Sequence, residues 1–557
     1  MSVDPIDKSK KWQGALPNNR LSINDHYDMV IIGGGIQGAT LAWEASRHKL
    51  SVLIVEAEDW GWGTSANNLK VIHGGIRYIQ NLDIKRCIQS IREQSLLSHL
   101  APNLINSLSC SIPAPRKILY NKYTYWLAFK FFELLKILVT PRAIEKVGGK
   151  TCIHKAEQYF SEQELGRDLM RQSFLQWQDA QVQSPERLVY SFIQSAQDFG
   201  AVCYNYVKAT QIDPSNNKVF LVDQLSDGAQ QSCTSDFLID TTGPWHNDLN
   251  LINQPSVEKI YFAQGVNLYT PRKILGHTLG LQSQNDRENR LLYVTPWREG
   301  TLFGTWYFED REHTNKITEN KVSACLSDLN KAFPNANFQN KDISVIHSGL
   351  LPLKSGSTSG PYDSLSDKAI FNIHRNPSKS GMYASIVGVK YTTARHASSE
   401  FLQKYVLKKA YRSVFKDLPD VRLKYSASQV EQEQISASIC SHYGSLETNT
   451  IRHLAENYGF AALLVVAQIE TNSELAALIP GCDREIKAEI SYCLESENVY
   501  TLSDLLIRRI GIGAVGMPTT ETIDYSSRIM AEYFHWDRST TEYHIEKIKS
   551  SYFPNSY

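Results

Sequence analysis

The chain has 557 residues, a length that accommodates two or three domains. Of these residues 42% are hydrophobic and 21% charged, a composition typical of a globular protein. Lys and Arg together number 58 and so do Asp and Glu, so no net charge favours nucleic acid as a partner. The nine cysteines are scattered without a CxxC pair, which excludes a zinc ribbon and a thioredoxin-type motif and is typical of a reducing cytosol.

The first 26 residues are polar and lack the apolar run of a secretory signal, so we interpret residues 1–26 as a flexible tail. Nowhere does the chain contain eighteen consecutive uncharged apolar residues, and no membrane-spanning helix is predicted.

The clearest motif lies in residues 27–59, where a short apolar strand pattern runs into GGGIQG. Gly33 permits the tight turn, Gly35 lets backbone approach a pyrophosphate, and Gly38 allows the following helix to touch the strand. The helix start offers free N–H groups and a partial positive charge to phosphates. A second strand pattern ends at Glu56, eighteen residues past Gly38, where an acid can bind a ribose hydroxyl. The sequence therefore predicts a dinucleotide site, of FAD or NAD, that disfavours NADP.

Two later segments favour FAD over NAD. Residues 235–245 form a strand pattern that runs into Thr-Thr-Gly-Pro, and residues 383–406 form a strand, a glycine and a helix in that order. An NAD site is built from about 150 residues and would not need contacts from segments this far along the chain. A cofactor that lies between distant segments, as FAD does, would need them. The helix start would also stabilise a reduced, anionic flavin. The residues predicted to contact the cofactor in these segments are Thr242, Gly243, Gly388, Thr392 and Thr393, either threonine being a candidate helix cap.

The segment NNLKVIHGGIRY (67–78) places an ionisable ring, two glycines and an arginine within five positions. Paired glycines usually mark a turn, which would leave His73 and Arg77 on the surface. The alternative is that backbone passes close to a cofactor there.

With these motifs the chain resembles the FAD-dependent, aerobic type glycerol-3-phosphate dehydrogenases and the glycerophosphate oxidases, from about residue 27 to 410 and more loosely beyond. The matching stretches are GGGIQGA, GTSANNLKVIHGGIRYIQ, DTTGPW, YVTPWREGTLFGT, HSGLLPL and VGVKYTTARHASSEF. The resemblance implies an α/β fold with a Rossmann-like FAD-binding domain of the glutathione-reductase or amino-acid-oxidase kind. It also implies an α+β substrate domain with an antiparallel sheet and a C-terminal α-helical cap. The reaction would be oxidation of a secondary alcohol by hydride transfer to the flavin, with quinone or oxygen as electron acceptor.

The resemblance also implies roles for individual residues. His73 would take the hydroxyl proton, Arg77 would hold an anionic substrate group, and Lys390 would lie near the substrate anion and the flavin. The remaining implied cofactor contacts are Thr64, Ser65, Lys70, Gly74 and Gly75. The implied domains are a tail at 1–26, an FAD-binding domain at 27–110, 176–250 and 370–410, a substrate domain at 111–175 and 251–369, and a helical domain at 425–557.

The chain departs from the family pattern where the family binds substrate. Leu351 stands in place of an arginine, Trp306 and Tyr307 replace a segment with an acid, Asn267 replaces a histidine, and residues 67–69 replace two serines and a neighbour. An arginine–phosphate contact is a strong, charge-assisted bond. We therefore expect either a larger, less anionic alcohol or amine as substrate, or glycerol 3-phosphate bound through Lys354 or Lys390.

Two other functions are consistent with the fold. An amine or amino-acid oxidase would need an arginine for the substrate carboxylate, and Arg77 and Arg298 are the candidates. A flavoprotein that binds without turnover would not need His73 and Lys390.

Residues 119–139 pack aromatic and aliphatic side chains around three lysines and a glutamate. This pattern predicts either a helix packed on its own domain or an amphipathic helix lying in a membrane interface. The protein is therefore expected in the cytoplasm, either free or peripheral on the inner face of the membrane. The histidines show no metal-ligand spacing, so no metal site is predicted, and the oligomeric state is not predicted.

Overall fold

The computed structural model describes residues 20–80, 82–114, 122–140, 151–158, 170–213, 215–226, 228, 230–247, 259–283, 291–310, 314–333, 335–354, 364–375, 381–407 and 421–552. The strands are β1 (His26–Ile32), β2 (Val52–Val55), β3 (Val71–Ile72), β4 (Ile105–Pro113), β5 (Cys152–Lys155), β6 (Ser173–Val182), β7 (Val202–Tyr204), β8 (Val207–Asp213), β9 (Lys218–Asp223), β10 (Gln230–Asp240), β11 (Phe262–Thr270), β12 (Thr278–Gln282), β13 (Leu291–Trp297), β14 (Gly300–Asp310), β15 (Val345–Pro352), β16 (Ile370–Arg375) and β17 (Met382–Val387).

The α-helices are α1 (Ile36–Arg47), α2 (Arg77–Gln80), α3 (Ile84–Leu100), α4 (Lys122–Val139), α5 (Pro185–Asp198), α6 (Glu319–Ala332), α7 (Ala394–Phe401), α8 (Gln429–His442), α9 (Thr448–Tyr458), α10 (Ala462–Thr471), α11 (Lys487–Ser496), α12 (Thr520–Phe534) and α13 (Arg538–Lys549). Short 3-10 turns lie at Ala156–Gln158, Gly243–Asn247, Asn340–Asp342, Tyr391–Thr393, Gly459–Ala461, Ser473–Ala476 and Ile512–Ala514, and π-helical turns at Leu402–Val406 and Asp504–Arg509.

The first sheet has a parallel centre in the order β17-β10-β1-β2-β7, with β16 antiparallel at the outer edge and the β8–β9 hairpin joined to β10. Parallel strands that are covered on both faces are largely apolar, as β2 is throughout and β1 is from Met29 to Ile32. One face packs on α1, α5 and α7, and the other packs on β8 and β9. In the register, Ile32 pairs with Val55 and with Asp240, so the carboxyl ends of three strands meet at one edge.

The second sheet has nine strands in the order β15-β11-β14-β13-β12-β4-β6-β3, with β5 paired to β6. Its pairs are antiparallel except β12 with β4, as the alternating patterns of an α+β domain predict. Helix α6 covers one face, and α2, α3 and α4 pack against β4 and β6. The strands β11, β14 and β15 bring their residues to the carboxyl edge of the first sheet.

Helices α8 to α13 form a C-terminal helical domain with its own apolar core. Two groups of buried ion pairs join this helical domain to the part of the protein that contains the first sheet. Asp59 lies just past β2 and binds Arg509 at 2.8 Å and Arg508 at 2.7 Å, and Arg187 of α5 binds Glu497 at 3.0 Å. Arg509 and Asp59 are fully buried, so each charge depends on the other for its solvation.

Several boundaries differ from those implied by the sequence. The ranges 27–110 and 176–250 place β3, most of β4 and the end of β6 with the FAD-binding sheet, whereas their backbone hydrogen bonds lie in the second sheet. The expected tail also ends earlier, because Arg20 pairs with Asp223 at 2.8 Å. Residues 1–19 of the expected tail lie outside the described residues.

Candidate active site

A cavity of about 1170 Å³ opens at the carboxyl edge of the first sheet, and the second sheet forms its opposite wall. Drug-sized ligands typically occupy pockets of roughly 300 to 1000 Å³, so this cavity is large enough for a dinucleotide together with a small molecule. The segments that line it are 32–33, 35–37, 55–58, 61–65, 67–69, 73, 75–76, 78, 241–245 and 386–394 from the cofactor side, and residues of β11, β13, β14 and β15 from the other.

The glycine loop has the geometry that a pyrophosphate site needs. Gly33 has φ +108°, and a Cβ there would lie 2.8 Å from the backbone of Thr241. A Cβ on Gly38 would lie 1.9 Å from the Gly33 carbonyl oxygen, so helix α1 can pack this close only with glycine. Ser65 Oγ accepts the Ile36 N–H at 2.9 Å, so it lies at the start of α1. The glycine loop and the helix start therefore meet at the cavity, with the Ser65 hydroxyl beside them.

Glu56 directly follows β2 and lines the cavity. Its Oε2 accepts the Gly34 N–H at 2.6 Å, and its Oε1 accepts the N–H of Glu58 at 2.8 Å and the Trp62 indole N–H at 3.1 Å. Burial raises the pKa of Glu56, and these hydrogen bonds oppose that rise. The carboxylate is thus fixed beside the glycine loop, where a ribose would lie.

The remaining predicted cofactor residues lie on the same cavity wall. Thr64 Oγ1 accepts the Leu350 N–H at 3.1 Å and so ties the glycine-loop side to β15. Thr242 donates its backbone N–H and its hydroxyl to Asp240 Oδ1, at 2.8 and 2.7 Å. Helix α7 begins directly after Thr393, as predicted, although no threonine side chain caps it. The residues of this group that line the cavity are Gly33, Gly35, Glu56, Thr64, Ser65, Gly75, Thr242, Gly243, Gly388, Thr392 and Thr393.

Lys70 is the predicted cofactor contact that the structure places elsewhere. Its side chain is fully buried, donates to the Ala66 carbonyl, and lies 3.9 Å from Glu186 and 5.0 Å from the centre of the Trp297 ring. Burial lowers the pKa of Lys70 to about 8. Its backbone has φ +64°, and the residue is not part of the cavity lining. We therefore assign Lys70 to the packing between the two sheets.

His73 follows β3 and lines the cavity with a side chain that is 44% exposed. Its Nδ1 lies 3.2 Å from Oδ2 of Asp179, a buried residue of β6. Gly74 donates its N–H to the other oxygen of Asp179 at 2.8 Å. The pair therefore consists of a solvent-accessible imidazole held by a buried carboxylate, an arrangement suited to proton transfer.

Sequence reasoning missed Asp179, although it lies in a strand pattern. In SFLQWQDAQV it is the one charged residue among apolar and amide side chains. A carboxylate in a buried strand needs a partner, because an unpaired buried charge is costly. That signal could have drawn attention to Asp179, but nothing in the sequence names His73 as its partner.

The predicted substrate contacts are only partly described. Arg77 begins α2, and its side chain lies outside the described residues. Lys390 lines the cavity, donates to the Tyr78 hydroxyl and lies 4.7 Å from the centre of the Tyr78 ring. Lys354 also lines the cavity, but its ammonium pairs with Asp367 at 2.9 Å, and Arg86 binds the same carboxylate at 2.8 Å. Lys354 is therefore charge-compensated, whereas no ion pair of Lys390 is found within the described parts of the chain.

The altered positions on the substrate wall divide between the two faces of the second sheet. Leu351, Tyr307 and Asn267 line the cavity. Trp306 does not, because successive strand residues face opposite sides, and its indole N–H donates to Asp328 at 3.0 Å in the core. The hypothesis that Trp306 shapes the substrate pocket is therefore corrected.

Arg298 is not a substrate ligand either. It is not part of the cavity lining, and its guanidinium donates to the carbonyls of Gly511 at 2.5 Å and Gln183 at 3.4 Å. The amino-acid-oxidase alternative thus loses one of its two candidate arginines. Among the described residues no cluster of His, Cys, Asp or Glu has the geometry of a metal site, and no helix has the length and apolarity to span a bilayer.

Comparison with known families now adds to this geometry. The model of the FAD dependent oxidoreductase family matches residues 28–376, more than half of the chain. The chain belongs to the FAD-dependent oxidoreductases. The model of the C-terminal domain of alpha-glycerophosphate oxidase matches residues 422–541, the region of helices α8 to α13. The predicted fold class and the predicted FAD cofactor are confirmed.

Similar proteins span almost the whole of this FAD-dependent oxidoreductase. The glycerol-3-phosphate dehydrogenase of Synechocystis sp. is 26% identical, over 94% of this chain and 96% of its own. The aerobic glycerol-3-phosphate dehydrogenase of Staphylococcus epidermidis is 23% identical, over 94% of each chain. The structure of the glycerol-3-phosphate dehydrogenase from Bacillus halodurans complexed with FAD covers 95% of both chains with a TM-score of 0.70 at 19% identity, which establishes the likeness of fold.

Proposed function

We propose that this FAD-dependent oxidoreductase oxidises the secondary hydroxyl of glycerol 3-phosphate or a closely related alcohol. The observation that carries the proposal is the His73–Asp179 pair, which faces the glycine loop across one cavity. The similarity of the whole chain to glycerol-3-phosphate dehydrogenases supports this substrate class. A flavoprotein that only binds would have no use for an imidazole held in this way.

Separate groups of residues would bind the cofactor and accept the proton. Gly33, Gly35 and the start of α1 would hold the pyrophosphate, and Glu56 the adenosine ribose. When bound, FAD supplies an acceptor for the hydride of the alcohol carbon. His73 would accept the hydroxyl proton, since its exposed ring faces the cavity. The start of α7 would place N–H groups beside the cofactor ring.

Lys390 is the group we propose for the substrate anion. It lines the cavity beside Tyr78, and its ammonium is not paired with a carboxylate among the residues described. Leu351 and Tyr307 supply no charge on the opposite wall. Leu351 stands where the family has an arginine, so one cation fewer holds the phosphate. We therefore expect the binding free energy of the substrate to be weaker by roughly 1.5–3 kcal/mol, the contribution of one charged hydrogen bond.

Anaerobic reduction of the purified holoenzyme tests the substrate. We expect glycerol 3-phosphate to bleach the flavin absorbance, and Lys390→Met to raise the concentration needed for half-maximal rate by about 10- to 100-fold with FAD retained. Lys354→Met serves as the matched control, because that lysine is paired with Asp367. The proposed substrate is wrong if glycerol 3-phosphate leaves the flavin oxidised while a larger, uncharged alcohol or an amine bleaches it.

We further propose that α4 attaches the protein to the membrane surface on the cytoplasmic side, and that electrons leave the enzyme to a membrane quinone or to oxygen. One side of α4 packs against β6, with Phe132 buried. The other side presents apolar side chains to solvent, including Leu127 at 65% and Leu138 at 71% exposure. A large apolar helix face that is exposed to solvent is typical of interfacial helices. Among the α4 residues whose side chains the structure describes, the exposed apolar ones are Trp126, Leu127, Phe131, Leu134, Ile137 and Leu138.

Vesicle flotation tests this attachment. The protein is expected to float with vesicles that contain anionic lipid, and the pair Leu127→Glu and Leu138→Glu to abolish flotation with the activity on a soluble acceptor retained. Val430→Glu, at a residue of α8 that is 63% exposed, is the matched control. If the α4 variant floats as well as the control, the membrane role of α4 is wrong.

A further inference from the structure

The hydrogen bond between His73 and Asp179 determines which ring nitrogen can act. An ionised carboxylate only accepts hydrogen bonds, so Nδ1, at 3.2 Å from Oδ2, must carry the shared proton. In the neutral ring Nε2 is then the acceptor, and no protein hydrogen bond to it is found within the described parts of the chain. The nitrogen that can take a proton is thus the one that Asp179 leaves free.

Asp179 is itself held on its second oxygen. Its Oδ1 accepts the Gly74 N–H at 2.8 Å and the Gln94 side-chain N–H at 3.0 Å. The same Gln94 nitrogen donates to the Ile72 carbonyl at 2.7 Å, so α3 is tied both to the backbone just before His73 and to the Asp179 carboxylate. Asp179 and Gln94 are both buried. This arrangement fixes the direction of the carboxylate as well as its distance from the imidazole.

We propose that Asp179 is a positioning residue, which Gln94 orients and which holds His73 in the tautomer with the proton on Nδ1 and Nε2 free toward the cavity. The proposal rests on the proposed function of His73 as proton acceptor. It adds a buried residue that lies 106 positions away from His73 in the chain.

The charged surroundings are consistent with an ionised Asp179. Burial alone would raise its pKa, but the hydrogen bond and charge of His73, the charge of Lys136 and the Gly74 N–H hold the pKa below its ordinary value. Lys136 reaches this region from α4 and donates to the Gln178 carbonyl at 2.8 Å. Cys110 of β4 is the other titratable group beside the carboxylate, and burial raises its thiol pKa, so it stays neutral.

The variant Asp179→Asn tests the proposal with little change of shape. The asparagine oxygen can keep the bonds from Gly74 and Gln94, which turns its NH2 group toward His73 Nδ1. A donor there favours the opposite tautomer, with the proton on Nε2. We expect kcat for flavin reduction to fall by about 10²- to 10⁴-fold, with KM changed less than threefold and FAD content equal to that of the wild type.

Two controls separate positioning from structure. Asp328→Asn removes another buried carboxylate of the same domain, which accepts from Ser283 and Trp306 far from the cavity, and should keep normal kcat. Gln94→Leu leaves the carboxylate in place but loosens it, and should lower kcat by a smaller factor than Asp179→Asn. An Asp179→Asn enzyme with kcat within threefold of wild type, or one whose activity loss is matched by loss of FAD, contradicts the positioning role.

A readout without substrate makes the result independent of the proposed reaction. ¹⁵N spectra of histidine-labelled holoenzyme, with the His73 signal assigned by its absence in His73→Ala, report the tautomer directly. The proton is expected on Nδ1 in the wild type and on Nε2 in Asp179→Asn. A wild-type signal with the proton on Nε2 would overturn the proposal even if glycerol 3-phosphate is turned over. A proton on Nδ1 would support it even if that substrate fails.

Discussion

Replacing His73 by alanine is expected to lower the rate of flavin reduction by about 10²- to 10⁴-fold, the usual loss when a general base is removed. FAD binding should stay intact, because the glycine loop and Glu56, the proposed cofactor contacts, lie in other segments. The measurement is stopped-flow absorbance under argon, together with the ratio of flavin to protein absorbance.

His396→Ala is the control for this experiment. His396 lies on α7, is 42% exposed, and so matches the exposure of His73 in the same protein. Its variant should reduce flavin at the wild-type rate. Unchanged reduction in His73→Ala would remove His73 from the chemistry and leave the cavity without a described histidine that can accept the proton.

Replacing Arg509 by methionine is expected to destabilise the protein by about 3–5 kcal/mol, because it leaves Asp59 buried with one partner fewer. Urea unfolding of the holoenzyme, followed by flavin fluorescence, measures the loss. Asp59→Asn combined with Arg509→Met should recover part of it, since the uncompensated charge is then gone. The exposed Arg538, paired with Glu542 on α13, offers Arg538→Met as a control with little effect.

The ion pair of Asp59 with Arg509 also predicts how the stability depends on pH. Burial alone would raise the pKa of Asp59, but the charges of Arg509 and Arg508 and their hydrogen bonds lower it below its ordinary value. A depressed folded-state pKa contributes stability above the unfolded value of about 3.9, and this is lost as the pH falls through the folded value. The wild type should therefore lose this contribution only below about pH 4. Equal stability of Arg509→Met and wild type at pH 7 would show that the ion pair contributes nothing.

The parts of the site that sequence could predict are those encoded in short, contiguous segments. The glycine loop depends on local backbone geometry and on a strand that ends at Glu56, so spacing alone places it.

The parts that sequence could not predict depend on facing direction and on distant partners. Trp306 and Tyr307 are neighbours in the chain, yet only Tyr307 reaches the cavity, because the pleat decides which of them faces inward. Lys70 follows the pattern of a cofactor segment, but its side chain is buried and is not part of the cavity lining. The partnership of His73 with Asp179 exists only after β3 and β6 pair.

The contact of Asp59 with Arg509 also has a consequence for synthesis on the ribosome. The two residues are 450 positions apart, and translation at about 5–20 residues per second separates them by about 20 to 90 s. During that interval the loop after β2, which begins with Glu56 of the cofactor cavity, holds a carboxylate whose burial is not yet compensated. The nascent chain can thus form its first strands early. The loop after β2, however, reaches its final packing only once residues 508–509 have left the ribosome.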